Sequence, residues 1–184
     1  KIGQRTIALE ANYSAAKKLA LDNSFLRRFS LIGALFPEKT IEDSKLYRLE
    51  IHDPKRIPVT FVHGVLSDPH IWYPCINAIY ADPILRANYQ PWYFLYPTGM
   101  AVPNTARRLR ESLKEARKKL DPDHNDPGRD QMVLVGHSMG GLLSRIQSID
   151  SGEDFWKAYF KRPPAELNLT EASRERLTQS LIFT

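Results

Sequence analysis

The pattern of apolar runs predicts an α/β fold: a mostly parallel central sheet with helices on both faces. Two observations carry that prediction. From residue 57 onward, short strand-length apolar runs alternate with helical patterns, in the order strand, helix, strand, helix, strand, helix. The runs are also nearly continuous rather than alternating, as expected of strands covered on both faces. A chain of 184 residues is long enough to bury one real core.

Residues 1–44 read as an N-terminal helical segment, because Ala8, Ala11, Ala15, Leu19 and Leu26 approximate one helix face. The core begins at residue 45 and runs to 184. Residues 45–51 alternate apolar and polar, which predicts a half-exposed strand closed by the Asp53-Pro54 turn. Residues 57–62 form a buried strand that ends at His63-Gly64. Asp68-Pro69 reads as a helix start, with a helix through about Tyr80, and Asp82-Pro83 repeats the signal.

Trp92-Tyr93-Phe94-Leu95-Tyr96 is an aromatic strand, closed by Pro97-Thr98-Gly99. Ala106, Leu109, Leu113, Ala116 and Leu120 then step by three and four, marking the clearest helix. Met132 to Val135 reads as a further short buried strand. After Gly136, residues Met139, Leu142, Leu143, Ile146 and Ile149 step as a buried helix face.

Composition narrows the function classes. The net charge is +5 and the isoelectric point about 9.3. The densest cations, Arg107, Arg108, Arg110, Lys114, Arg117, Lys118 and Lys119, are interleaved with Glu111 and Glu115 and hold no aromatic residue. That pattern reads as a solvated helix face, so no nucleic-acid partner is expected. The single cysteine, Cys75, lies in an apolar setting and reads as a small buried hydrophobe. No Cys/His cluster has ligand spacing, so neither a metal nor another cofactor is expected.

No apolar run reaches the roughly 18 residues that span a bilayer, which leaves peripheral membrane contact open. The chain starts at Lys1 without Met, as a processed or truncated product would. The sequence fixes no compartment, although an exported or cell-envelope setting is preferred over the cytoplasm. Two short sequons, Asn12-Tyr13-Ser14 and Asn168-Leu169-Thr170, carry little weight.

The chemistry lies at two strand ends. The first is Gly136-His137-Ser138-Met139-Gly140-Gly141, between a strand and an apolar-faced helix. Gly-x-Ser-x-Gly alone is weak, but this context is specific. A sharp strand-to-helix turn strains the serine backbone and lifts its hydroxyl clear of the sheet. Gly136 and Gly140 flank Ser138 because side chains there would collide where strand meets helix. The bland alternative is a glycine-rich turn with an ordinary N-cap serine.

The second end is His63-Gly64-Val65. Acyl transfer needs fixed donors for a developing oxyanion, and the backbone N–H groups of Val65 and Met139 are the candidates. Gly64 allows close backbone approach. His63 reads as a brace for the loop rather than a catalytic base.

Together, His63-Gly64 after an apolar strand and GHSMGG after a later one resemble the α/β-hydrolase superfamily, and within it bacterial lipase- and esterase-like members. The resemblance covers about residues 45–150. It implies Ser138 on a nucleophile elbow, supported by His137, and a triad in the order Ser, Asp or Glu, His. The substrate it implies is a small-molecule or lipid ester.

The chain departs from that pattern, since none of His52, His63, His70, His124 and His137 follows Ser138. The expectation is that the chain is part of a longer hydrolase. The alternatives are a scaffold that has lost the chemistry, or an upstream histidine in a rearranged triad. An acyltransferase or amide hydrolase would use the same serine. Residues 151–181 carry Phe155, Trp156, Tyr159 and Phe160 at helical spacing, and read either as a lid over Ser138 or as a helix docked on the core.

Overall fold

The computed structural model describes residues 25–123, 125, 128 and 131–184. The elements in chain order are α1 (Phe25–Leu35), β1 (Lys45–Arg48), β2 (Ile57–Val62), α2 (Tyr73–Ala81), α3 (Pro83–Asn88), β3 (Tyr89–Leu95), α4 (Val102–Leu120), β4 (Val133–Gly136), α5 (Met139–Ile146), α6 (Asp154–Tyr159) and α7 (Glu171–Leu181). The helical patterning through Ala8, Ala11, Ala15 and Leu19, the first sequon and His124 lie outside the described residues.

The four strands form one mixed sheet in the order β1-β3-β2-β4. β2 pairs in parallel with β3 and β4, while β1 pairs antiparallel with β3. The side-chain period of two splits β2 between two cores. Val59 and Phe61 pack with Trp72, Tyr73, Ile76 and Tyr80, in and just before α2. Val62 on the opposite face packs with Phe94, Leu109, Leu143 and Ile146, which belong to β3, α4 and α5. Helices therefore cover both faces. Each buried Phe, Leu or Ile there is worth about 1.5–3 kcal/mol relative to an exposed one.

The start signals act through their side chains. The Asp68 carboxylate accepts from the N–H of His70 at 2.8 Å, opening a 3-10 turn over Pro69–Trp72 that leads into α2. Asp82 accepts from Ile84 and Leu85 and starts α3. Gln90, fully buried, donates to the carbonyls of Asp53 and Arg56 and accepts from the Asp53 N–H, which fixes the turn ahead of β2.

Four sequence expectations are corrected. Cys75 is exposed, because α2 buries the stripe Tyr73, Ile76 and Tyr80, and position 75 falls off it. β4 is half-exposed rather than buried, because among the described residues it pairs only with β2 and lies at the sheet edge. Leu142 is 58% exposed, since α5 turns Met139, Leu143 and Ile146 inward. The α4 cations are not all solvated: Arg107 is buried, and Arg110 lies over the Phe183 ring and donates to the Gln179 carbonyl.

Candidate active site

In an open parallel sheet, a crevice opens where the connections leaving two neighbouring strands run to opposite faces. β2 and β4 are such a pair. The chain leaving β2 goes to α2 on one face, and the chain leaving β4 goes to α5 on the other. His63-Gly64-Val65 and His137-Ser138-Met139 both sit at this switch point.

Ser138 has φ 54° and ψ −123°, a backbone conformation that costs a non-glycine residue about 1–3 kcal/mol. It occupies the N-cap position of α5, yet its side chain makes no cap hydrogen bond. An ordinary N-cap serine has an extended backbone and spends its hydroxyl on the helix. Here the residue is exposed, and among the described residues Oγ has no hydrogen-bond partner.

The flanking glycines are required by contact. A Cβ at Gly136 would lie 2.3 Å from the Gly140 carbonyl oxygen. One at Gly140 would lie 2.1 Å from the Val62 oxygen and 2.6 Å from the His63 oxygen. Strand and helix thus meet backbone to backbone, and the N–H of His137 donates to the Val62 carbonyl at 3.1 Å. Gly64 completes the contact. A Cβ there would sit 2.9 Å from His137 Nδ1 and 3.0 Å from Ser138 Cβ. The loop after β2 and the serine turn are therefore in van der Waals reach.

Met139 is the first residue of α5, so its N–H has no acceptor within the helix. Val65 is 52% exposed in the turn beside Ser138. Met139 is itself buried at 8% exposure.

His63 is 1% exposed, and its Nδ1 lies 3.1 Å from the Gly64 carbonyl. Burial lowers its pKa to about 4, against weaker opposing effects of the Gly64 carbonyl and Asp68. The ring is neutral at pH 7 and stacks on Tyr96 at 4.3 Å. His137 is exposed at the turn. His52 contacts Gln90, before the sheet's opposite, amino end, and His70 is bonded to Asp68 at 2.5 Å.

Two supporting residues escape sequence reasoning. The Tyr96 hydroxyl, whose pKa burial pushes up, donates to the His63 carbonyl. Thr98 Oγ1 accepts from the Leu66 N–H at 3.2 Å, holding a residue with φ 52°. The signal for both was the aromatic strand ending in Pro-Thr-Gly, which reads only as a turn. α1 adds a third support, as Ser30 donates to the Ser67 carbonyl at 3.1 Å.

Residues 151–181 dock on the core. Phe155 meets Phe183 edge-on at 5.9 Å, Trp156 is buried and stacked on Phe160 at 4.6 Å, and α7 packs along α4. Tyr159 stays exposed. Among the described residues no group of three His, Cys, Asp or Glu could hold a metal ion, and no helix is long and apolar enough to cross a membrane.

Fold and site thus define an α/β protein with a strained, exposed serine at the switch point of a mixed four-stranded sheet. No family model, no curated protein and no solved structure matches the chain.

Proposed function

We propose that the chain is a serine hydrolase of α/β-hydrolase type that cleaves carboxylic esters through an acyl-serine intermediate, with Ser138 as the nucleophile and the Val65 and Met139 N–H groups as the oxyanion donors. The observation that carries the reading is the left-handed backbone of Ser138, held against Gly64 with its hydroxyl uncapped and exposed. A residue kept in a costly conformation, with Gly64 packed against its Cβ, points to use of its side chain.

In this reading Ser138 Oγ attacks the ester carbonyl carbon and its proton passes to an imidazole base. The carbonyl oxygen becomes an oxyanion held by the N–H groups of Val65 and Met139. Collapse of that intermediate breaks the ester C–O bond, and the alkoxide leaves with the proton from the base. Water then cleaves the acyl-serine by the same steps. His63, buried and neutral, holds the loop and takes no proton. Among the described residues no histidine is hydrogen-bonded to Ser138, and no residue is assigned as the base.

Apolar side chains flank the serine. Val65, Leu66 and Leu142 are 52%, 65% and 58% exposed, and Leu142 lies one helical turn from Ser138. Such a rim suits an acyl chain better than a charged substrate. Labelling with a fluorophosphonate is the test. The folded protein should label at Ser138, and Ser138→Ala should not. A folded protein that stays unlabelled would favour a binding scaffold, whereas release of amine or acyl transfer to an alcohol would move the reaction to the neighbouring classes.

A further inference from the structure

A cavity of about 480 Å³ lies on the far side of α4 from the sheet, between α4, α7 and the end of α6. Ser138 is not part of its lining. Its walls are mainly apolar, with Leu177 and Leu181 from α7, Phe160 after α6 and Pro103 from α4. Into this apolar space three cations converge: Arg107, Arg108 and Arg176.

The arginines are incompletely satisfied. Arg107 is 8% exposed and spends its two Nη groups on Glu111 and Asn104. Arg108 Nη1 donates to the Ile41 carbonyl, and Arg176 Nε to the carbonyl of Ala172. The Nε groups of Arg107 and Arg108 are buried without a hydrogen-bond partner. Burial lowers the Arg108 pKa, and repulsion from Arg107 and Arg176 lowers it further, against Glu42 and Glu111. A buried unpaired donor is costly, and crowded like charges add to the cost.

We propose that this cavity binds an aliphatic carboxylate, with its head on the arginines and its tail along Leu177 and Leu181. Glu111 pairs with Arg107, and Glu42 also acts on Arg108, so three cations face two carboxylates and one positive charge remains for an anion. A guanidinium presents paired donors that match a carboxylate. An alkyl chain fits walls built from Leu177, Leu181 and Pro103. A volume of this size lies in the usual range of small-molecule sites.

The site is independent of the hydrolase reading, and the experiment keeps them apart. Calorimetric titration of the protein with decanoate should give saturable binding. Decanol and acetate, which lack the head and the tail respectively, should bind at least about tenfold more weakly. Arg108→Met and Arg176→Met should each weaken decanoate by about tenfold to a hundredfold, whereas Ser138→Ala should leave it unchanged. Arg176 is exposed, so its variant tests the site even if Arg108→Met does not fold. Absence of decanoate binding, equal binding of decanol, or indifference to Arg176→Met would each overturn the proposal. So would displacement by inorganic phosphate at concentrations where acetate has no effect.

Discussion

The crevice at Ser138 and the cavity on α4 are built from opposite materials. The crevice is backbone: Gly64, Gly136 and Gly140 let main chains approach so closely that a single methyl group would touch carbonyl or ring atoms at 2.1–2.9 Å. The cavity is side chain: three arginines and two leucines carried on helices, with a phenylalanine just after α6. Backbone geometry admits almost no substitution, because nothing flexible can yield. A side-chain site admits many, at the expense of the ligand rather than the fold. The difference separates residues that hold the structure from residues that define a function.

Substitutions should sharpen that contrast. Gly140→Ala places a methyl group 2.1 Å from the Val62 oxygen, and should cost at least about 3 kcal/mol in urea unfolding. A loss under about 1 kcal/mol would show that the strand–helix junction relaxes, and the contrast would fail.

The next effect is on pH. His63 titrates near 4 when folded, against an ordinary value of 6.5. Between those values the unfolded chain binds more protons, so stability is full above pH 6.5 and falls as pH drops toward 4. The total is about 3 kcal/mol, levelling off below the folded value. Unfolding midpoints measured across this window should show the slope, and His63→Gln should remove it.

Ser138→Gly relieves the φ of 54° and should raise stability by about 1 kcal/mol while abolishing labelling. A stability loss instead would mean that the serine turn carries no strain. The smallest effects belong to sites outside the close contacts. Gly141 has no neighbour nearer than 3.6 Å to an added Cβ, so Gly141→Ala should gain up to about 1 kcal/mol through helix propensity. Exposed Arg176→Met should change stability by less than about 0.5 kcal/mol.

Local chemistry made much of the molecule legible in the sequence. The apolar runs marked β2 and β3, and Asp68-Pro69 and Asp82-Pro83 marked helix starts that their carboxylates cap. Gly136 and Gly140 pointed to a close strand–helix junction because only glycine lacks the colliding atom. Where the sequence misled, the missing information was which neighbour a residue meets. Cys75 reads as apolar by its flanks, yet the helical phase turns it outward. β4 reads as buried by its side chains, yet burial depends on a second partner strand.

The amino-acid order by itself determined the alternation of elements, the punctuation between them and the serine turn between two glycines. Those features depend on contacts within a few residues, where type and spacing suffice. Tertiary structure alone decided that β1 runs antiparallel at one edge, that Tyr96 and Thr98 hold the loop beside Ser138, and that the α4 arginines face a cavity. Each of those joins residues at least 32 positions apart, and no local preference encodes which distant surface a side chain will meet.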